Sequence, residues 1–394
     1  MPHFALTVVL ALLTMVGPLG IDAYLPSIPA IAREFGATDL LVQQTLSFYV
    51  GGMSVMMLFY GTLSDSYGRR PVVLVSLALY CIASVAAALA PGVVPLIVVR
   101  ALQGLCGGAG TIIARAMVQD RFRGHEAQRM MAMITMVFGV APALAPIIGG
   151  WLEATLGWRW VFAFLALFAA AMWFTSRAVL AETLPPEQRM PFRPGPIAAS
   201  YRRLLSEPRF MLRVIGYAFV FSGVGLYVGS APAFMMNILH QPPTAFAWLF
   251  IPLVSGIMSG SAVAGRLSGR VGPDRLIRAG FAIMVCAVAI NVAYSALADV
   301  RLPYAVMPMF VFTFGMSLAA PGMTVLSLSV FSDMRGLAAA MQGFTQMMVF
   351  ALISGLLAPQ LFDSALHIAL GHAAGLAIGI AAWSAGESLR PRHR

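Results

Sequence analysis

Twelve stretches of about twenty mostly apolar residues divide this chain, each long enough for a helix to cross a hydrocarbon layer ~30 Å thick. Within a few residues they run over 4–32, 41–63, 72–91, 94–118, 130–152, 159–180, 211–234, 245–268, 275–298, 303–331, 336–360 and 364–386 of the 394 residues. A water-soluble fold has no interior large enough to bury so many helices on every side. The composition points the same way: 60% of residues are hydrophobic and 10% charged, where a soluble domain carries about 25% charge. Mean hydropathy is +0.85. The reading is an all-α integral membrane protein. A soluble enzyme, a disordered scaffold and a nucleic-acid-binding domain are excluded. The stretch from Phe4 is too long for a cleaved signal and is expected to stay as the first helix.

Charge supplies the topology. The net charge is +10, and all 25 basic residues are arginine. With the N-terminus placed in the cytoplasm, every arginine except Arg33, Arg100, Arg159 and Arg301 falls in or beside a cytoplasmic loop or in the tail. That asymmetry is the positive-inside signal. Both termini are expected in the cytoplasm of a bacterial cell, with the chain multi-pass in the inner membrane. The tail Arg390, Arg392, His393 and Arg394 then faces lipid headgroups rather than nucleic acid. Cys81, Cys106 and Cys286 lie singly in apolar stretches and have no metal-ligand spacing.

Residues 181–210 hold six prolines and several arginines, which reads as an extended cytoplasmic linker. It separates an N-terminal six-helix bundle, 1–180, from a C-terminal one with a short basic tail, 211–394. A repeat supports the division. Gly61-Thr-Leu-Ser-Asp-Ser-Tyr-Gly68 follows the second helix, and Gly265-Arg-Leu-Ser-Gly-Arg-Val-Gly272 follows the eighth. Asp120 and Gly124 after the fourth helix are echoed by Asp333 and Gly336 after the tenth. Duplicated halves with a site between them describe a secondary transporter.

Twelve helices split six and six, with Gly61-x-Leu63-x-Asp65-x-x-Gly68-Arg69-Arg70 after the second, resemble the major facilitator superfamily, whose signature is that turn. Asp22-Ala-Tyr24-Leu25-Pro26-Ser-Ile-Pro29 and Glu182-Thr183-Leu184-Pro185 look like its bicyclomycin-resistance branch of bacterial drug:proton antiporters. The resemblance implies two pseudo-symmetric six-helix bundles and transport rather than catalysis.

Asp22 lies inside the first apolar stretch, where a carboxylate costs about 2.5–3.5 kcal/mol. Burial there disfavours charge, which suits a group that takes up and releases a proton. Pro26, four residues on, cannot donate to the Asp22 carbonyl, so a kink is expected. By resemblance, first-helix acids of these antiporters bind protons and cationic drugs. Arg100 sits inside the fourth helix, and Arg100-Ala-Leu-Gln103-Gly104-Leu-Cys-Gly107-Gly108 resembles the superfamily's motif there. Arginine stays charged, so Asp22 and Arg100 are expected to share one hydrogen-bond network, directly or through Gln103 and water. Tyr24, Tyr49 and Tyr217 are the further candidates for lining a substrate cavity.

At the cytoplasmic side, Gly61 and Gly68 permit a tight turn, and Asp120 is the expected partner of Arg69, with Arg70 beside it. Asp65 is expected to face the start of the eleventh helix near Gly336 and latch the two halves. The second copy has Gly269 and Pro273 where the first has Asp65 and Arg69, so the latch should be asymmetric. In the fifth helix, Gly139, Pro142, Pro146, Gly149 and Gly150 form a kinked small-residue stretch that resembles the antiporter motif of drug exporters. It is expected to pack against a helix of the other half.

No phosphate-binding loop, paired-histidine metal motif or G-x-S-x-G occurs. His240 and His367 fall in loops, and His372 reads as a structural helical histidine. The expected function is proton-coupled efflux of small amphipathic compounds (bicyclomycin-, phenicol- or cation-like) by a monomer with no cofactor or metal. A metabolite symporter or natural-product exporter of the same fold is the alternative. With Asp22 as the one carboxylate within the stretches, export of neutral or monovalent compounds is expected to be electrogenic.

Overall fold

The computed structural model describes residues 2–389. The tail arginines and His393 lie outside the described residues. Those described form helices and turns only, with no strand among them. They contain twelve helical spans of membrane-crossing length and hydropathy, from Ala5–Phe35 to Ala365–Ser388.

The chain divides into two compact units, residues 1–193 and 194–394. In the first, α1 (Pro2–Asp22) and α2 (Ile28–Phe35) make one broken span. Then come α3 (Asp39–Tyr67), α4 (Arg69–Ala88), the interrupted pair α5 (Val93–Gly107) and α6 (Ala109–Arg121), α7 (Gly124–Leu156) and α8 (Trp158–Val179). In the second, a short α9 (Pro194–Leu205) precedes α10 (Pro208–Pro232), α11 (Ala247–Leu267), α12 (Pro273–Leu297), α13 (Met307–Leu328), α14 (Arg335–Leu352) and α15 (Ala365–Ser388).

These helices are apolar outside as well as inside. On α4, Val75, Leu79 and Ile82 are 58%, 50% and 64% exposed and share one face. Such a face suits lipid and not water. Inside, glycines such as Gly104, Gly110 and Gly149 let helix backbones approach closely. The fold is thus all-α, in two six-helix bundles.

The proline-rich segment differs from the extended linker that its composition suggests. Pro194 and Pro196 lie in the first turn of α9, where the missing N–H costs nothing. The helix turns Leu204 into a core of the second unit with Phe210, Val214, Phe331, Ala338 and Met341. Arg203 of α9 pairs with Asp333 at 2.7 Å, and this hydrogen bond holds the Asp333 carboxyl below its ordinary value.

Candidate functional site

The first span breaks where Asp22 and Pro26 predict it. α1 ends at Asp22, a turn carries Ala23 and Tyr24, and Leu25–Ser27 form one turn of tighter helix before α2 resumes at Ile28. Asp22 is 4% exposed. No ion pair among the described residues involves it. Its carboxyl lies within electrostatic reach of Tyr49.

Arg100 is wholly buried, and it does not pair with Asp22. Nη2 donates to the Gly20 carbonyl at 2.8 Å and Nη1 to Gln103 Oε1 at 2.6 Å. Gln103 Nε2 donates to Ser84 Oγ at 2.7 Å, and Ser84 in turn to the Tyr80 carbonyl at 2.7 Å. The guanidinium lies over the rings of Tyr49 (4.1 Å), Tyr24 (4.7 Å) and Phe162 (5.6 Å). Of the two routes expected between Asp22 and Arg100, the direct bond is not formed, while Gln103 does bond the guanidinium alongside carbonyl and π-face contacts. A desolvated cation gains about 2 kcal/mol over such faces, and the carbonyl of Gly20 ties it to the helix turn just before Asp22. Tyr49 donates to the Gly17 carbonyl at 3.0 Å and Tyr80 to that of Val16 at 3.3 Å. Tyr24 shares a short hydrogen bond with Thr45. Arg100→Lys keeps the charge but cannot reach Gly20 and Gln103 while stacking on three rings. It should lower stability by ~2 kcal/mol or more, seen as a lower melting midpoint of the purified protein. An unchanged midpoint would show that the cage adds nothing.

The fifth span comes to the same break. Ala141, Ala145 and Gly149, at helical spacing, are buried with Pro146 and Gly150 on α7. The Ala23 carbonyl oxygen occupies the space where a side chain at Gly149 would begin. Gly139 faces open space, and Pro142 is half-buried. The close approach the structure shows for this stretch is thus to α1 of its own unit, at the residue after Asp22. Farther along α7, Glu153 falls inside the span, which extends beyond its expected edge at 152 to Leu156. It lies near Ser27 and Arg33. Asp22 is accordingly not the only carboxylate within the spans.

Two polar clusters fasten the ends of this unit. At one, Arg69 Nη1 pairs with Asp65 at 2.6 Å and Nε with Asp120 at 3.1 Å. Gly68 turns the chain at φ +98° between α3 and α4. Beyond it, Glu182 caps α4: its Oε1 accepts from the Arg69 amide at 3.0 Å and its Oε2 from the Arg70 amide at 3.2 Å. A Cβ at residue 68 would stand 2.5 Å from that carboxylate, so the glycine serves both turn and cap. Thr183 Oγ1 donates to Asp120 Oδ2 at 3.0 Å, and Arg70 to the Arg177 carbonyl at 2.9 Å. Gly61, by contrast, meets nothing close. Glu182→Ala leaves the two amides uncapped and should cost about 1–2 kcal/mol. Thermal unfolding would read this, with Glu182→Gln retaining part of the cap.

At the other end, Glu34 of α2 accepts from Trp158 Nε1 at 2.6 Å and from Arg159 at 2.5 Å. Arg159 also lies 4.2 Å over the Trp158 ring. In the second unit, Tyr217 lies in hydrogen-bond reach of Thr324 and Gln346. Sequence reasoning missed Tyr80, Ser84, Phe162, Glu34 and Trp158, and gave Glu182 no role. Of these only Glu182 left a signal: an acid in a motif, with a helix start elsewhere that needed a cap.

Comparison with known proteins places this architecture. A profile described as Major Facilitator Superfamily matches residues 10–359. The chain is 29% identical over 356 residues to a protein named uncharacterized MFS-type transporter YdgK from Bacillus subtilis, covering 90% of this chain and 88% of that one. It is 29% identical to a bicyclomycin resistance protein homolog of Haemophilus influenzae, covering 71% and 70%. To multidrug resistance protein D of Escherichia coli it is 28% identical, covering 67% and 66%. Among solved structures, a D-xylose-proton symporter superposes with a TM-score of 0.78 at 16% identity, over 99% and 98% of the two chains. Most of the chain matches the profile, and the helices fold as in these transporters, so this protein belongs to the Major Facilitator Superfamily of membrane transporters.

Proposed function

We propose that this transporter is a proton-coupled antiporter that exports small amphipathic compounds, of bicyclomycin, phenicol or cationic type, by alternating access. It would act as a monomer in the bacterial inner membrane with both termini in the cytoplasm. The observation that carries the reading is Asp22: a carboxyl 4% exposed within a span, at a helix break and in no ion pair among the described residues. A group so placed gains by taking a proton and can release it when the site opens to water. The names of the bicyclomycin- and multidrug-resistance relatives support export. The arginine asymmetry supports the orientation.

In this reading a proton arriving from the outer side neutralises Asp22 and releases the compound. Arg69, Asp65 and Asp120 then form the cytoplasmic gate. Glu153 offers a second carboxylate, and one proton per cycle is the minimum. The energy suffices: one charge crossing 100 mV provides ~2.3 kcal/mol.

Arg100 favours a second reading, a carrier of carboxylate-bearing metabolites, because no carboxylate pairs with it among the described residues. The cage opposes it. Tyr24, Tyr49 and Phe162 cover the guanidinium, which is wholly buried, so an anion reaches it only by opening the rings. The test uses proteoliposomes holding a pH-sensitive dye, with bicyclomycin, phenicol and cationic compounds added in turn. Compound-driven proton movement is expected. Transport with no proton movement would reject the antiport.

A further inference from the structure

The second unit holds a polar group that nothing in the proton mechanism uses. His372 of α15 is 3% exposed. Neither ring nitrogen has a hydrogen-bond partner among the described residues. Its ring packs edge-on against Phe312, centroids 4.1 Å apart, and against Tyr227 at 5.3 Å. The Tyr227 hydroxyl is already engaged, accepting from Asn291 Nδ2 at 2.5 Å. Gly223 on α10 makes room for the imidazole, since a Cβ there would overlap Nε2 and crowd the Phe312 ring. The histidine is therefore held in a fixed place by two rings and one missing side chain.

It borders a cavity of about 100 Å³ whose other walls include Ser222, Leu226, Ile353, Leu357 and Ile378. No charged side chain lines it. The Ser222 hydroxyl donates to the Phe219 carbonyl at 2.6 Å and keeps its lone pairs. Buried polar groups in proteins are almost always satisfied, and a phenylalanine would fill this place without leaving any unpaired. A neutral imidazole offers one donor and one acceptor. An apolar pocket with a single such pair discriminates by hydrogen bonding and has nothing to hold an ion.

We propose that the cavity beside His372 is a binding subsite for an uncharged ring or short arm that bears a hydroxyl or carbonyl, one part of an amphipathic compound. The occupant hydrogen-bonds the imidazole while its apolar part fills the space between α10, α15 and the helical turn Ile353–Leu357 that follows α14. The inference borrows from the export reading only in taking this group to belong to a transported compound. Binding itself is measured without transport, so the two fail separately.

The test is nitrogen NMR of full-length protein labelled with ¹⁵N-histidine in lipid nanodiscs, with no pH gradient. His372→Phe, or His372→Gln should that variant not fold, identifies the His372 signals. Phenol is titrated in, and toluene serves as the apolar control. Phenol is expected to shift a His372 nitrogen saturably, at least tenfold more effectively than toluene. Gly223→Ala, which intrudes on the imidazole, should weaken that response at least tenfold. Equal shifts with phenol and toluene, no saturable shift with phenol, or nitrogens already bound to water that phenol does not displace would each overturn the subsite.

Discussion

Compound-driven proton movement is expected to disappear in Asp22→Asn, while the protein still folds and still binds neutral compounds. The amide matches the carboxyl in size and in its ability to accept hydrogen bonds, and it removes only the exchangeable proton. Asp22 is 4% exposed and ends α1, so the substitution neither opens a cavity nor breaks an ion pair among the described residues. An uncoupled carrier can only equilibrate its substrate. Since ~2.3 kcal/mol is available per charge per 100 mV, the gradient it sustains should fall about 50-fold at that potential. The measurement is the dye signal together with compound accumulation in the same vesicles. Persistent proton movement in Asp22→Asn would move the coupling to another carboxyl, with Glu153 next to test.

Gly149→Ala is expected to be nearly as damaging, although it touches no ionisable group. The new methyl would stand on the Ala23 carbonyl oxygen. The Cβ is fixed by the α7 backbone and the oxygen belongs to the backbone of the turn, so no rotamer change relieves the overlap. Either α7 retreats from α1, or the turn holding Asp22 and Tyr24 shifts. Overpacking of this kind costs about 1–3 kcal/mol, and displacement of the turn beside Asp22 should reduce transport at least tenfold. Gly139→Ala gives the contrast in stability. Nothing lies within 4 Å of its Cβ position, so its melting midpoint should stay within about 0.5 kcal/mol of wild type. Equal midpoints for both variants would show that the approach of Gly149 to Ala23 has no energetic weight.

The sequence revealed the elements whose cause is local. Apolar length identified the spans, and a proline four residues after Asp22 identified the break. Arg100 was conspicuous because charge is rare inside a span, but its partners were not. An arginine can be satisfied by carbonyls and ring faces supplied from three other helices, and no spacing rule announces those. Glu182 caps amides 113 and 112 residues away in sequence, a distance over which pattern reading has no purchase. Glu153 lies one residue beyond the expected edge at 152, because apolar length alone does not show where a helix ends. α9 was lost because prolines were counted without regard to their position in the first turn.

The break in the first span also has a mechanical side. α2 is clamped to α8 through Glu34, Trp158 and Arg159, while α1 is fastened to α5 through the Gly20 carbonyl and Arg100. A straight rod fixed at two points would carry any tilt from one end to the other. A jointed rod with a separate anchor on each side of the joint does not. Each arm of this span therefore has its own anchor, and in the proposed antiport the elbow between them, next to Asp22, would be where tilt and proton exchange meet.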